Sequence, residues 1–325
     1  MELEQSKDAE LYLFLSVDII DSTKKKYSGI PYSQNWTQFF YSFFKEFPDM
    51  FNGCLIDVTK NTEDNDLKKN ILINPWKYAG DEILFYIKIE QKRQIPCIVK
   101  AFRNALKAWE KEQLKKIQFL NLDESNKTDI KGCIWIGQFP FIDKRFTYYD
   151  DNDQNNKKTD FIGPSIDCGF RLGKYASKRG IIVSVEIIDL CRDCPEIYNS
   201  IVFYKAEKLK GVGDMEYPIF NLLLNDNEIN IIEKHIIKVT QGQLEGFLEN
   251  YYIETESKYD GRISRINKDH NEHLIDYLTR KTVEWDKKYE NIELSDKSDY
   301  LPAKQNNKDD NSLEDFVDDT IKSST

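Results

Sequence analysis

The sequence predicts an α+β fold: a β-α-β-β-α-β core with extra strands on its C-terminal side, then helices and an acidic tail. Three observations carry this. Short apolar runs and two long amphipathic segments follow one another as strand, helix, strand, strand, helix, strand. After about Asn225 only helical periodicities remain. From about Ser295 to Thr325, eight acids stand against four lysines with almost no apolar residues, the composition of a disordered tail. The expected division is therefore 1–225, 226–294 and 295–325.

Leu11 to Val17 is an apolar run stopped by Asp18, as expected of a buried strand ending at a polar edge. Between about Ser33 and Phe51, Trp36, Phe39, Phe40, Phe43, Phe44 and Phe47 recur three and four apart, which makes a helix with one broad aromatic face. Strands from about Ile71 to Ala79 and from Ile83 to Ile89 flank Gly80-Asp81. A second amphipathic helix runs from about Pro96 to Ile117, with Ile98, Phe102, Ala105, Leu106 and Trp109 inward. Ile130 to Gln138 reads as a strand. Tyr148 to Asp160, with four Asp, three Asn and two Lys, reads as a polar loop. A helix starts near Gly163-Pro164-Ser165, and strands follow near 181–185, 201–204 and 217–223. Helical segments are expected near 228–252 and 270–289. This order fits a core of the ferredoxin-like type.

The 325-residue chain is long enough to bury a sizeable core. Its net charge of −10 argues against coating nucleic acid or anionic lipid through a general field. No run of eighteen apolar residues is present, and the N-terminus lacks the apolar core of a secretory signal, so no membrane association is expected. Six scattered cysteines do not make a disulfide scaffold, and a reducing, cytoplasmic setting is the natural expectation. Cys191 and Cys194 form a lone CxxC with no second pair, more in keeping with free thiols than with zinc. His270 and His273 share a helix face without acid or Cys partners and read as surface residues.

Chemistry concentrates in three segments. Val17-Asp18-Ile19-Ile20-Asp21-Ser22-Thr23 ends a strand in an acid followed by hydroxyl residues. Lys77-Tyr78-Ala79-Gly80-Asp81-Glu82 turns between two strands. If those strands are neighbours, Asp18 and Asp81 converge as a hard oxygen site suited to Mg²⁺ or Mn²⁺ carrying a nucleotide phosphate. Taken singly, Asp18 as a turn cap and Gly80-Asp81 as a plain hairpin are equally good readings. The third segment, Asp160 to Leu172, opens a helix on which Asp167 and Arg171 share a face.

Together, in this order, the three segments resemble the class III nucleotide cyclase domain. The resemblance covers about Leu11 to Leu224, leaves the helical remainder unexplained, and makes 1–225 the catalytic domain. It implies two divalent cations, Mg²⁺ or Mn²⁺, held by Asp18, the Ile19 carbonyl and Asp81, with Thr23 in the hydroxyl-bearing turn near the substrate. It implies base reading by Lys77 and Asp160. Asp167 falls where the family orients the ribose with Asn, and Arg171 falls where it stabilises the transition state. Lys208 to Gly213, before Tyr217 to Phe220, is similar to the family's closing lysine-glycine turn and strand. Asp167 is a departure that adds negative charge near a polyphosphate. That departure, the lack of fused sensor domains and the string Ile162-Gly-Pro-Ser-Ile-Asp-Cys-Gly-Phe-Arg-Leu172 look most like the stand-alone pyrimidine cyclases of bacterial Pycsar antiphage defence.

The resemblance implies conversion of a nucleoside triphosphate, UTP first and CTP second, to a 3′,5′-cyclic monophosphate and pyrophosphate. The product would act as a second messenger on a cyclic-nucleotide-activated effector protein. It also implies a head-to-tail homodimer with sites at the subunit interface. One chain would supply Asp18 and Asp81, the other Lys77, Asp160, Asp167 and Arg171. Adenylate cyclase activity, or a non-catalytic nucleotide-binding module of the same fold, stays open, because an acid and a lysine can meet adenine, cytosine or uracil. Ala79 to Ile83 also shares the Gly-Asp-Glu turn of diguanylate cyclases, but the aromatic helix lacks their Asp-rich companion segment. No GxxxxGK[ST] loop, GxSxG elbow or dinucleotide glycine motif is present.

Overall fold

The computed structural model describes residues 4–5, 9–27, 36–60, 71, 73–121, 127–140, 142–150, 153–210, 216–225, 237–258, 279–280 and 283. Its principal sheet is built on β2 (Glu10–Ile19), whose apolar run alternates between two packed faces. Antiparallel neighbours flank β2: β4 (Glu82–Ile89) on one side and β5 (Ile130–Phe139) on the other. β3 (Pro75–Ala79) pairs outside β4 through the two-residue Gly80-Asp81 turn, where Gly80 has φ +70°, a conformation that costs glycine little. The order β5-β2-β4-β3 is that of a ferredoxin-like β-α-β-β-α-β unit, as expected from the sequence.

Two crossover helices cover one face. The first, α2 (Trp36–Thr59), follows the short α1 (Ser22–Tyr27); the second is α3 (Gln94–Phe119). Phe43, Phe47 and Phe51 of α2 and Phe102 and Trp109 of α3 interlock over Phe85 of β4, all fully or almost fully buried. The three- and four-residue spacing of these rings is what the sequence displays, and it sets which face α2 turns inward. At the start of α3 the Gln94 side-chain oxygen accepts the Glu90 and Gln91 N–H groups at 2.8 and 3.0 Å.

Beyond β5 the sheet continues through β8 (Gly180–Val183), β10 (Glu216–Leu223), β9 (Ile201–Lys208) and the short β11 (Ile237–Lys238). The β5–β8 pairing is parallel. Between β5 and β8 the chain makes a hairpin, β6 (Lys144–Asp150) and β7 (Asp153–Ile162), then α4 (Pro164–Leu172). β1 (Glu4–Gln5) pairs with β6, and α5 (Val185–Leu190) and α6 (Pro195–Tyr198) precede β9.

Two expectations are corrected. Tyr148 to Asp160 is not a loop: it contributes most of β6–β7, in register from Lys144 opposite Ile162 to Tyr149 opposite Lys157, with a shift before Asp150 opposite Asp153. Its sheet has only three strands and leaves Lys157 and Lys158 exposed, so it needs no apolar alternation, the signal on which strand prediction depends. Phe161 anchors the hairpin against Phe14, Tyr12 and Trp76. The helix expected near 228–252 is interrupted: 226–236 lie outside the described residues, Ile237–Lys238 form β11, and the helix described is α7 (Gln241–Lys258). Its start is a capping box. The Thr240 hydroxyl accepts the Gln243 N–H at 3.3 Å, and the Gln243 side chain accepts the Thr240 N–H at 3.0 Å. Phe247 and Tyr251 of α7 pack on Phe220 and Tyr217 of β10.

All described residues belong to one unit, Met1–Val283; the second, Glu284–Thr325, lies outside them, as do the expected tail and most of the 270–289 helix. No helix among the described residues is long and apolar enough to cross a membrane.

Candidate active site

The sheet brings Asp18 and Asp81 together. Asp18 lies near the end of β2, directly opposite Glu82 on β4 and Lys131 on β5. Directly opposed residues present their side chains on one face, so Glu82, Asp18 and Lys131 form a row across three strands. The β3–β4 turn places Asp81 beside that row, close enough for its charge to act on Asp18. Burial pushes the Asp18 carboxyl above the usual carboxylate range, and the Asp81 charge adds to the shift. Lys131, whose Nζ is 3.0 Å from Asp18 Oδ2, opposes it. Glu82 is also raised, first by burial and then by Asp18 and Asp81, while a hydrogen bond from Ser16 pulls it down.

Asp18, Glu82 and Lys131 line an open cavity of about 160 Å³, which Phe170 and Lys174 close from the other side. Ile19 pairs with Ile130 at the strand end. Asp21, at φ 56°, turns the chain into α1, leaving Thr23 exposed.

A second constellation sits on β3 and β7. Lys77 Nζ is 2.9 Å from Asp160 Oδ1, and the ammonium also lies 3.9 Å from the centre of the Trp76 ring. Trp76 Nε1 donates to the Thr159 carbonyl at 3.0 Å and so ties the two strands together. The residues expected to read a base are therefore adjacent within one chain.

The third element is α4. Gly169 packs directly on the Trp135 indole of β5: a Cβ there would overlap the ring. Asp167 is exposed in the first turn of α4. Arg171 Nε donates to the Lys210 carbonyl at 3.2 Å. Among the described residues no hydrogen bond or ion pair joins Arg171 to Asp167, Asp18 or Asp81.

The N-terminus of α4 is held from outside the helix. Asp143, fully buried, accepts the Ser165 N–H at 3.0 Å and the Gln138 N–H at 3.1 Å. Burial pushes its carboxyl up to about 7 despite these donors. Between the ordinary value of 3.8 and about 7 the folded state holds a proton that the unfolded chain has lost. This share of stability is complete below the lower value and lost as pH rises through the upper one. Thermal melts should therefore show the unfolding temperature falling from about pH 4 to 7, with a shallower fall in Asp143→Asn. Equal slopes in the two proteins would remove Asp143 as the titrating group.

Sequence reasoning missed Lys131, Glu82 and Asp143 as members of this region. The first two become visible only through strand register, and Asp143 through a tertiary contact. The six cysteines are free thiols. His270 and His273 lie outside the described residues.

Among the described residues no group of three or more His, Cys, Asp or Glu side chains is placed to hold a metal ion. The Asp18–Asp81 pair nevertheless fits Mg²⁺ or Mn²⁺. Such ions take one or two carboxylates and complete their shells with water and substrate phosphate, and a dication would offset the burial and the Asp81 charge that together raise Asp18.

No protein-family model matches the chain, and no curated protein matches it. Among solved structures it is similar to the adenylyl cyclase CyaB from P. aeruginosa, with 11% identity over 72% of this chain and 99% of that one, and a TM-score of 0.46. It is similar to the guanylyl cyclase Cya2, with 14% identity over 66% and 92% of the two chains and a TM-score of 0.44. A third is the guanylate cyclase domain of RhGC from Catenaria anguillulae in complex with GTP, with 10% identity over 67% and 99%, and a TM-score of 0.44. Likeness at this level assigns no activity to the chain, and the site's chemistry rests on its own residues.

Proposed function

We propose that this protein is a nucleotide cyclase that converts a nucleoside triphosphate, UTP first and CTP second, to a 3′,5′-cyclic monophosphate and pyrophosphate. The observation that carries the reading is the convergence of Asp18 and Asp81, one on a strand end and one on a turn, with mutual repulsion that a divalent cation would relieve. When bound, Mg²⁺ or Mn²⁺ supplies the charge that acidifies the ribose 3′ hydroxyl and neutralises the departing pyrophosphate. Asp18, Asp81 and the Ile19 carbonyl offer oxygens for it, with Thr23 nearby on α1. The 3′ oxygen attacks the α-phosphorus, its proton passing to water, as the bond to the bridging oxygen breaks and pyrophosphate leaves in line. Arg171 donates to the α-phosphoryl oxygens as charge builds, a contribution commonly worth several kcal/mol of barrier. Lys77 and Asp160 would exchange their mutual ion pair for the edge of the base, and Asp167 would lie at the ribose.

The dimer belongs to the same reading. Arg171 is engaged by Lys210 rather than by either aspartate, and the cavity beside Asp18, about 160 Å³, is below the roughly 300 Å³ at which small-molecule pockets begin. Both observations favour a site completed by a second copy, which would contribute Lys77, Asp160, Asp167 and Arg171. UTP choice and a second-messenger role toward an effector in antiphage defence follow from the resemblance of the 162–172 segment, with Asp167, to the stand-alone pyrimidine cyclases, and cytoplasmic action follows from the scattered cysteines.

The test is incubation of the full chain with Mn²⁺ and each of ATP, GTP, CTP and UTP, followed by mass spectrometry of the products. Cyclic UMP is the expected product. Turnover of ATP alone would overturn the base assignment, and silence with all four would favour a nucleotide-binding module. A mixture of Asp81→Ala and Arg171→Ala chains should recover part of the activity that each lacks; no recovery would count against the shared site.

A further inference from the structure

Lys131, like Glu82, belongs to the strand row but has no part in the proposed reaction. Its position follows from register: it lies opposite Asp18 in the β2–β5 ladder, as Glu82 does in the β2–β4 ladder. Its ammonium contacts Asp18 Oδ2 at 3.0 Å, and both side chains keep 25% of their exposure. The pair is therefore neither sealed in the core nor a loose surface contact. Two further acids bear on this corner electrostatically: Asp81 acts on Asp18, and both aspartates act on Glu82. Lys131 faces that cluster and lines the cavity in front of it together with Lys174.

An ammonium at this distance from Asp18 stands where the second charge of an ion pair belongs. A divalent cation arriving at Asp18 meets that positive charge and must either share the carboxylate or push the lysine aside. The displaced ammonium has a second acid within electrostatic reach, Glu82, on which Lys131 already acts. We propose that Lys131 is a built-in competitor for the metal at Asp18, holding the acid cluster together when no divalent ion is bound and lowering its affinity for one. This rests on the reading that Asp18 and Asp81 hold the metal. Its consequence is that the free protein binds divalent ions weakly, and triphosphate oxygens are needed to draw metal into the site.

The test is Mn²⁺ binding to the full chain without nucleotide, read by calorimetry and by the paramagnetic resonance of free Mn²⁺. Lys131→Met should bind Mn²⁺ roughly tenfold more tightly than the natural protein, since removal of one positive charge beside the ion removes a repulsion of that order after relaxation and solvent screening. Lys131→Arg keeps the charge and should bind as the natural protein does. In chelator, Lys131→Met should melt at a lower temperature than the natural protein and gain more on addition of Mn²⁺. Lys131→Gln provides the same comparison should the methionine variant fail to fold. Equal or weaker Mn²⁺ binding in both neutral variants, with binding still abolished by Asp18→Ala, would overturn the role of Lys131 and leave the metal site standing. Absence of any Asp18-dependent binding in every variant would overturn the metal site and the competitor with it.

Discussion

Asp81→Asn is expected to raise the stability of the metal-free protein while removing its Mn²⁺-dependent turnover. Asparagine keeps the shape of the turn residue, and its amide can donate to Asp18, so the substitution exchanges a like-charge contact for a hydrogen bond. Part of the upward shift of Asp18 comes from Asp81. A carboxyl raised in the folded state costs stability when it is ionised, so the gain is present at neutral pH. It fades as pH falls through the raised value and Asp18 takes up a proton. A gain of about 1 kcal/mol is expected at pH near 7.5 in chelator, and little at pH near 4. Turnover should fall on the order of a thousandfold, as it does when electrostatic stabilisation of a transition state is removed. Melting temperatures at the two pH values, set beside cyclic nucleotide production, check both halves. A less stable variant with intact turnover would take Asp81 out of the metal site.

Gly169→Ala is expected to destabilise the fold by about 1–3 kcal/mol, although alanine is the better helix former. The cause is the close approach of α4 to β5. A methyl group at Gly169 would overlap the Trp135 indole. Trp135 has nowhere to retreat, because it is 2% exposed and stacked on Phe14 at 5.6 Å. The helix must therefore lift, and it carries Asp167 and Arg171 with it, so activity should drop further than stability. Urea unfolding should show a lower midpoint with an unchanged slope. Trp135→Phe made together with Gly169→Ala should recover part of the loss, since the smaller ring leaves room and the pair are in contact. An alanine variant as stable as the natural protein would show that α4 does not depend on this contact.

Most of the central fold is legible in the chain because its cause is local. The aromatic spacing of α2, the apolar stripe of α3 and the stop at Asp18 each state their own geometry within a few residues. The β6–β7 hairpin is not legible in this way. Its strands are polar, and what holds them in place is Phe161 against rings from β2 and β3 together with the Trp76 bond to Thr159. Asp143 is equally silent in sequence: it is a single acid in a connection, and only the folded chain shows that it caps a helix more than twenty residues away.

Residue type and order alone determined which acids, lysines and arginine were available, and that one acid would fall at a strand end and another at a turn; the pairing of β2 with β4 made those positions neighbours. Tertiary structure decided that Lys77 faces Asp160, that Arg171 is held at Lys210, and that Lys131 stands against Asp18. The physical reason is register. Periodicity fixes which face of its own strand a side chain occupies, but its cross-strand neighbour depends on a pairing chosen by the whole core, and a slip of one residue would place a different residue at every contact.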